Sequence, residues 1–439
     1  MNKAIPLIDK IKELIDSEDK KRLLENFFSL SILQVANYIL PLITLPYLVR
    51  VLGPEKFGLI AFAQAFIQYL VILTDYGFNL SATREISIYR DNKEKISEIF
   101  SSVMITKFGL MIISLLILSV LVFTIPKFKN DWLVYFFTFG MVLGNVLFPI
   151  WFFQGMERMK YITILNIVAK GIFTICIFIF IRKMADYLYV PLINSTGFLV
   201  AGGLSLRIVS KDFGIKFMLP SFKAIKHQLK EGWHIFISTV AISLYTTSNT
   251  FILGLFTNNT IVGYYAAAEK IMRAVQGLLV PISQTVYPHI SKLVSESKEK
   301  ALNFIRKLVK IVGSISFIIS LSIFIFANLI VNIVLGLQYR QSIIVLRILA
   351  FLPFIIGLSN IFGIQTMLTF NLKQAFSKIL ISAGLLNIVL ALILAPLYQH
   401  IGISIAVLTT EIFVTLSMFF YLKRKGIKIF AETFNYERT

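Results

Sequence analysis

Long apolar stretches alternate with short polar segments along the chain, and most of these stretches have the length of a membrane-spanning helix. A helix needs roughly 20 apolar residues to cross the hydrocarbon core of a bilayer. Twelve stretches approach or exceed that length, at 27–49, 57–78, 103–125, 132–153, 161–181, 187–206, 233–256, 261–287, 311–334, 342–368, 379–395 and 402–422. The pattern predicts an all-α integral membrane protein with about 12 transmembrane helices.

The composition agrees with this prediction, because 57% of the residues are hydrophobic and only 15% are charged. In soluble domains, about a quarter of all residues are charged. The net charge of +20 is compatible with nucleic-acid binding, but its placement argues against it. With twelve spans, the segments on the side of the termini hold 32 of the 43 Lys and Arg residues, against 7 in the opposite loops. This positive-inside pattern predicts that both termini are cytoplasmic, and no nucleic-acid partner is expected.

Motifs for metal and nucleotide chemistry are missing from the sequence. Cys176 is the single cysteine, and the four histidines are scattered without metal-ligand spacing. No G-x-x-x-x-G-K-[ST] phosphate loop and no H-E-x-x-H motif occurs. The sequence therefore predicts no cofactor and no metal site, and its charged N-terminal segment does not resemble a cleavable signal peptide.

A polar connection at 207–232 divides the predicted spans into two sets of six, at 27–206 and 233–422. Two further segments flank them, an N-terminal segment at 1–26 and a basic tail at 423–439. Apolar residues recur at helical spacing in the N-terminal segment, which is typical of an amphipathic helix on the cytoplasmic membrane surface. A solvated tail that sets topology is the alternative.

The two predicted halves show a weak internal repeat. A shift of about 205 residues aligns Gly58 with Gly263, Gln64 with Glu269, and Gln68 with Arg273. Halves of six helices have the same orientation in the membrane, so a repeat axis should run along the membrane normal. We therefore expect two six-helix bundles with a substrate cleft between them near the membrane midplane.

Polar side chains recur on single helix faces inside the apolar spans. Lys170 lies at the centre of the stretch 161–181, where a lysine costs roughly 3 kcal/mol on insertion scales, so we expect it to face a cavity. Residues three or four positions apart share a helix face. The predicted polar lining of the cavity consists of Gln34, Asn37, Gln64, Gln68, Thr163, Asn166, Thr174, Asn249 and Gln276.

Four cations inside the spans are predicted to bind an anionic substrate: Lys170, Lys270, Arg273 and Arg347. Arg273 could instead neutralise Glu269 in a helix interface, since the two are four residues apart. Arg347 lies near a span end and could extend outward to the headgroups. Asp75, Glu269 and Glu411 are the candidate carboxylates for ion coupling. Alternatively, Asp75 could lie at a helix end in the membrane interface. Glu411 could instead form a hydrogen bond with a neighbouring residue.

Four segments resemble one known family. LPYLVRVLGPEKFGLIAFAQAF (45–66), DYGFNLSATREIS (75–87), FPIWFFQGMERM (148–159) and VGYYAAAEKI (262–271) are similar to landmarks of Wzx-type polysaccharide repeat-unit flippases. The resemblance covers nearly the whole chain. It implies membership of the multidrug/oligosaccharidyl-lipid/polysaccharide (MOP) exporter superfamily, with a MATE-like fold of two six-helix bundles around a central cavity.

The resemblance also implies a function. Such proteins move an undecaprenyl-pyrophosphate-linked oligosaccharide from the inner to the outer leaflet of the bacterial cytoplasmic membrane, by alternating access driven by an ion gradient or the membrane potential. Partners implied are that lipid-linked substrate, membrane lipid, and the polymerase and chain-length proteins of polysaccharide assembly. A multidrug antiporter of the same superfamily is one alternative, although carboxylates should then dominate the cavity. A membrane-embedded glycan polymerase or transferase is the other, although the predicted outer loops are short.

Overall fold

A computed structural model describes residues 18–278, 280–427 and 429, and every regular element in these residues is helical. The α-helices are α1 (Glu18–Asp75), α2 (Phe78–Ile88), α3 (Lys93–Thr124), α4 (Pro126–Lys129), α5 (Trp132–Leu147), α6 (Ile150–Gly155), α7 (Met159–Phe180), α8 (Tyr189–Lys211), α9 (Phe222–Thr246), α10 (Ser248–Phe256), α11 (Asn259–Gly277), α12 (Val280–Glu296), α13 (Lys298–Ile330), α14 (Ser342–Leu349), α15 (Leu352–Asn360) and α16 (Lys373–Arg424). Short 3-10 segments lie at Met184–Leu188 and Leu337–Tyr339, and π-helical segments at Val331–Leu335 and Ile361–Leu368. Helices suit a bilayer because they satisfy their own backbone polar groups.

Eight helical stretches of the described chain are long and apolar enough to cross a membrane. They are Phe28–Ile88, Lys93–Thr124, Trp132–Gly155, Met159–Phe180, Met184–Lys211, Lys298–Leu335, Ser342–Leu368 and Lys373–Arg424. The segments from α9 to α12 are not among them. Helix α10, which begins after the break at Thr247, has 9 residues and α12 has 17, while Glu269, Lys270 and Arg273 add charge to α11. The all-helical membrane fold is confirmed, and the count of about 12 spans stays a prediction.

The two longest helices contain breaks in which the backbone leaves the helical conformation. Gly53 adopts φ 68° inside α1, and Gln399 adopts φ 51° inside α16. Between α1 and α2, Tyr76 and Gly77 both have positive φ, at 44° and 80°. Glycine enters this left-handed region freely, whereas Tyr76 and Gln399 do so against the preference of L-residues. Each break therefore lets the chain change direction within one long apolar run.

Two compact units are present. The first contains the described residues up to Thr44 and Phe66–Val240, and the second contains Leu45–Ala65 and the described residues from Ala241 onward. Helix α1 contributes to both units, and the later boundary, after Val240, lies close to the end of the polar connection at 207–232. The two six-helix bundles predicted from the sequence stay a prediction. Most of the predicted N-terminal segment 1–26 and of the tail 423–439 lies outside the described residues.

An aromatic cluster forms the core of the first unit. Trp151, Phe152 and Phe153 of α6 are fully buried. Phe100 of α3 packs against Trp151 with ring centroids 5.7 Å apart, and Phe213 packs against Phe152 at 5.1 Å. Burying aromatic side chains of this size dominates core energetics. The segment FPIWFFQGMERM is thus mainly a packing element of this unit.

The core of the second unit is mostly aliphatic and joins α13, the π-helical segment Ile361–Leu368 and α16. Ile305, Phe362 and Met418 are among its buried members. Gly363 lies so close to this core that a Cβ atom on it would approach the side chains of Phe376 and Met418 to within 2.7 Å and 3.0 Å. Such close packing holds the π-helical segment against α16.

Candidate functional site

In the first unit, α1 and α7 lie side by side with a constant offset. Asn26 Nδ2 donates to the Glu157 carbonyl at 3.1 Å, and its Oδ1 accepts from the Met159 N–H at 3.0 Å. Further along, Thr163 Oγ1 donates to the Ser29 carbonyl at 2.9 Å. These hydrogen bonds between helices fix the register of the pair, since each links a residue on one helix to a partner about 133 positions later.

The same register brings together two predicted site residues, Lys170 and Asn37. The Lys170 ammonium donates to Asn37 Oδ1 at 2.6 Å, and both side chains are half-buried. Among the described residues no carboxylate forms an ion pair with Lys170. A neutral amide orients the ammonium without cancelling its charge, so this position keeps a positive charge that an anion can pair with.

The other polar residues predicted on these two helices have varied surroundings. Asn166 Nδ2 donates to the Ile162 carbonyl of its own helix at 2.8 Å. Thr174 Oγ1 is buried without a hydrogen-bond partner among the described residues. Gln34 is half-buried on α1, one turn before Asn37. Thr163 is occupied in joining the helices, and Gln34, Asn37, Lys170 and Thr174 form the polar stripe of this unit.

A second buried cation, Lys107, was missed by the sequence analysis. The predicted span begins near residue 103, so Lys107 lies at its polar end in the sequence, among the basic residues that flank the spans. In the structure it lies well inside α3 and is 1% exposed, with Nζ 2.9 Å from Asp75 Oδ1. The buried residues Phe100 and Val103 precede it at helical spacing, and this periodicity was the available signal. Placing Lys107 inside a span, and not in a flanking segment, still leaves a large excess of Lys and Arg on the side of the termini.

In the second unit, Glu269 of α11 is the centre of a charged cluster. Its carboxylate accepts from Arg273 at 2.9 Å and from Thr250 Oγ1 at 3.2 Å. The adjacent Lys270 places Nζ 4.9 Å from the centroid of the Phe57 ring, a cation–π contact. The predicted pairing of Glu269 with Arg273 is therefore present. Two cations, Lys270 and Arg273, thus lie near the single carboxylate of Glu269.

Other predicted residues of this unit are Asn249, Arg347, Glu411 and Gln64. Asn249 is buried, and its Oδ1 has no hydrogen-bond partner in the described part of the chain. Arg347 is exposed on α14, and Glu411 is half-buried on α16. Gln64 is half-buried in the second unit, whereas Gln68, four residues later, belongs to the first.

A small cavity of about 80 Å³ lies beside α11 and α12 in the second unit. Gln276, a predicted lining residue, borders it together with Asn360 and Gln365. Ser283 Oγ donates to Asn360 Oδ1 at 2.7 Å, and Gln365 Nε2 donates to Ser283 Oγ at 2.8 Å. The sequence analysis missed Asn360 and Gln365 because a spacing of five places residues on different faces of an α-helix. The π-helical turn, which closes from i to i+5, brings them to one side.

A larger cavity of about 740 Å³ lies between α2, α3 and α9 in the first unit. Glu85 accepts from Gln228 Nε2 at 2.7 Å and lies 2.8 Å from His227 Nε2. Lys95 and Glu98 form another pair across 2.7 Å. The lining holds as many carboxylates as Lys and Arg side chains, with Glu85, Glu98 and Glu231 against Arg84, Lys95 and Lys223, so it offers no surplus of Lys and Arg to an anion. The described residues also contain no cluster of His, Cys, Asp and Glu that could hold a metal ion.

An all-helical membrane fold with cations in its interior is typical of a membrane transporter. The chain belongs to the family described as polysaccharide biosynthesis protein, which matches residues 23–294. It is 39% identical over 411 residues to a putative O-antigen transporter of Escherichia coli (strain K12), covering 94% of this chain and 99% of that protein.

Two solved structures share the fold. An inward-facing MATE multidrug-resistance transporter of the MOP superfamily matches with a TM-score of 0.68 and 15% identity, covering 93% of this chain and 100% of that one. The lipid II flippase MurJ, in an inward closed conformation, matches with a TM-score of 0.68 and 14% identity, covering 92% and 89%. The family and the MOP-type fold expected from the sequence are confirmed.

Proposed function

We propose that this protein is a flippase that moves lipid-linked saccharide repeat units from the inner to the outer leaflet of the bacterial cytoplasmic membrane. The similar E. coli protein is named an O-antigen transporter, and the alignment covers almost all of both chains. The carrier lipid in this proposal is undecaprenyl pyrophosphate, whose head group is a strong anion. Both termini are proposed to be cytoplasmic, and the polymerase and chain-length proteins of polysaccharide assembly are the proposed partners.

The contact that carries this proposal is the one between Lys170 and Asn37. A half-buried ammonium 2.6 Å from a neutral amide oxygen keeps a charge for an anionic ligand. An ammonium pairs with pyrophosphate oxygens more strongly in a low-dielectric cavity than in water. Removing a hydrogen bond to a charged group costs about 1.5–3 kcal/mol, which corresponds to roughly 10-fold to 100-fold in binding. Lys170 is therefore proposed to bind the pyrophosphate.

The other proposed contacts come from the remaining residues predicted to line the cavity. Lys270 and Arg273 outnumber the single carboxylate of Glu269 in their cluster, and Arg347 is exposed on α14. The amides and hydroxyls of the predicted lining offer donors and acceptors for sugar hydroxyls, while the prenyl tail stays in lipid. Gln64, Gln68, Asn166, Asn249 and Gln276 belong to this proposed lining.

The membrane potential can supply the driving force. An inside-negative potential gives roughly 2.3 kcal/mol per charge per 100 mV to an anion that moves outward. Alternating access between inward-open and outward-open states is the proposed cycle. Glu269 and Glu411 are the proposed carboxylates for an antiported cation.

The multidrug alternative receives less support from the described residues. A carrier of cationic drugs needs carboxylates whose charge is available to the ligand. Asp75 is paired with Lys107, and Glu269 is paired with Arg273. The similarity to a MATE transporter, at 15% identity, concerns the fold alone.

The test uses a bacterial strain that lacks this gene and assays on which leaflet the undecaprenyl-linked repeat unit accumulates. We expect complete units trapped on the cytoplasmic side, released by the wild-type protein. Lys170→Met should release them at least about tenfold more slowly at equal expression. Lys160→Met is the matched control, because Lys160 lies on the same helix and pairs with Glu25 while both side chains are well exposed.

Each other result would overturn a part of the proposal. Incomplete units would indicate a transferase, and single units trapped on the outer side would indicate a polymerase. The absence of any lipid-linked intermediate would remove the glycan substrate. Normal release by Lys170→Met would remove Lys170 from substrate binding.

A further inference from the structure

Three oxygen atoms converge on the ammonium of Lys107 inside the first unit. Nζ lies 2.9 Å from Asp75 Oδ1, 3.3 Å from Asn145 Oδ1 and 3.5 Å from the Asn145 carbonyl oxygen. The Lys107 side chain is 2% exposed and that of Asp75 is 23% exposed. A lysine this deeply buried is stable as a cation only when it is paired and hydrogen-bonded.

The site lies where two helices end. Asp75 is the last residue of α1, and Asn145 is in the last turn of α5. The C-terminal end of a helix carries a partial negative charge, so both ends favour a cation at this point. The backbone turns sharply just after Asp75, since Tyr76 and Gly77 both have positive φ. A carboxylate, an amide oxygen and two helix ends thus form a cation site at a break in the chain.

We propose that Lys107 is a built-in counter-ion whose ammonium fills this cation site and holds the ends of α1 and α5 together. Asp75 then serves as the partner of Lys107 and does not carry the coupling ion. In this proposal Asp75 has a different role from the coupling carboxylate expected from the sequence. Lys107 is a positioning residue, because it acts through Asp75 and Asn145. The transport readout of the inference rests on the proposed function.

The two possible roles of Asp75 predict different effects when the charge of Asp75, of Lys107, or of both is removed. If Asp75 serves only to balance Lys107, removing either charge leaves the other buried and unpaired, whereas removing both leaves a neutral site. If Asp75 carries a transported ion, its removal abolishes transport whatever stands at position 107. Single and double variants therefore separate the two roles.

The first experiment measures export of the repeat unit in the strain that lacks this gene. Asp75→Asn and Lys107→Met should each lower export at least tenfold. The double variant Asp75→Asn/Lys107→Met should recover to within about threefold of the wild type. Full activity of either single variant, or an inactive double variant that folds like the wild type, would overturn the inference.

The second experiment measures thermal unfolding of the purified full chain in detergent and needs no transport. Lys107→Ala removes three carbons and the ammonium, which n-propylammonium can replace. We expect Lys107→Ala to lose about 3–5 °C of unfolding temperature and to regain much of it in n-propylammonium chloride. The wild type and Lys107→Ala/Asp75→Asn should not respond. Tetramethylammonium chloride is the matched salt, because it has the same charge but no N–H donor.

The two readouts can fail separately. No selective gain from n-propylammonium in Lys107→Ala would show that the three oxygens do not form a cation site, and would overturn the inference. If the wild-type gene fails to restore export in the deletion strain, the proposed function fails, and the unfolding measurements still decide the role of Lys107.

Discussion

Gly58 in α1 packs directly against Gly263 in α11, and the contact is reciprocal. A Cβ atom on Gly58 would lie 2.5 Å from the Gly263 backbone nitrogen and even closer to the Asn259 carbonyl oxygen. In return, a Cβ atom on Gly263 would overlap the Pro54 carbonyl. The internal repeat, which aligns Gly58 with Gly263, also aligns Pro54 with Asn259. Two elements related by two-fold symmetry make reciprocal contacts of this kind. The contact thus supports the weak repeat in the sequence.

This packing predicts that Gly58→Ala and Gly263→Ala both destabilise the protein, because even one methyl group must displace helix backbone. Overpacking of this kind costs about 1–3 kcal/mol. Thermal unfolding of the purified protein measures it. Gly109→Ala is the control: a Cβ atom there meets no heavy atom within 4 Å. It should be neutral or slightly stabilising, and equal behaviour of all three variants would contradict the close contact.

The unbalanced charge of Lys170 predicts that Asn37→Asp blocks export while the protein still folds. A carboxylate at position 37 would pair with the ammonium that now lies 2.6 Å from Asn37 Oδ1 and would compete with the pyrophosphate. We expect export to fall at least about tenfold, measured by release of trapped repeat units. Asn303→Asp adds the same charge on α13 beside Arg306 and should leave export unchanged. Wild-type export by a well-folded Asn37→Asp protein would remove Lys170 from anion binding.

The pairing of α1 with α7 predicts a modest stability loss for Thr163→Val. The substitution keeps the shape of the side chain and removes the 2.9 Å hydrogen bond to the Ser29 carbonyl. Hydrogen bonds between membrane helices contribute about 0.6 kcal/mol on average and up to about 1.7 kcal/mol. Thr196→Val is the control, because the Thr196 hydroxyl bonds only to the Leu192 carbonyl of its own helix. We expect Thr163→Val to unfold at a lower temperature than Thr196→Val. Equal unfolding temperatures would contradict a role of the Thr163 hydroxyl in joining the helices.

The proposed ion coupling predicts that Glu269→Gln/Glu411→Gln loses gradient-driven export. Neutral amides keep the size of the side chains and cannot exchange a proton or bind a cation with full charge. Export is compared before and after an ionophore collapses the gradient. Glu296→Gln is the control, since that carboxylate is exposed and 4.0 Å from Lys292. If the double variant exports at the wild-type level and its export still depends on the gradient, neither carboxylate couples export to an ion.

The polar stripe of the first unit was predictable from the sequence because an isolated lysine in an apolar run has few stable positions. Lys170 was expected to face a cavity, and Asn37 was expected to line one. The structure adds that the two side chains contact each other. That pairing was not predictable from spacing, since the residues are 133 positions apart.

Two groups were not predictable from helical periodicity alone. Lys107 sits where the apolar run begins, so the hydropathy pattern alone does not distinguish a polar flank from a buried cation. Asn360 and Gln365 share a side only through the π-helical segment Ile361–Leu368, and sequence periodicity assumes a regular α-helix. In both cases the local sequence is compatible with more than one environment.

By itself, the sequence determined the membrane fold, the helical class and the family. Apolar length and basic-residue placement act locally, because each span must satisfy its own backbone and keep charges out of lipid. Only the tertiary structure decided which buried charges neutralise each other. Asp75 pairs with Lys107, and, among the residues that the structure describes, Lys170 meets only the amide of Asn37. The pair of Glu269 and Arg273 was one of two alternatives that the sequence left open, and the structure shows that it forms. Electrostatic energy depends on distances of a few ångströms between helices, and those distances arise only when the helices pack.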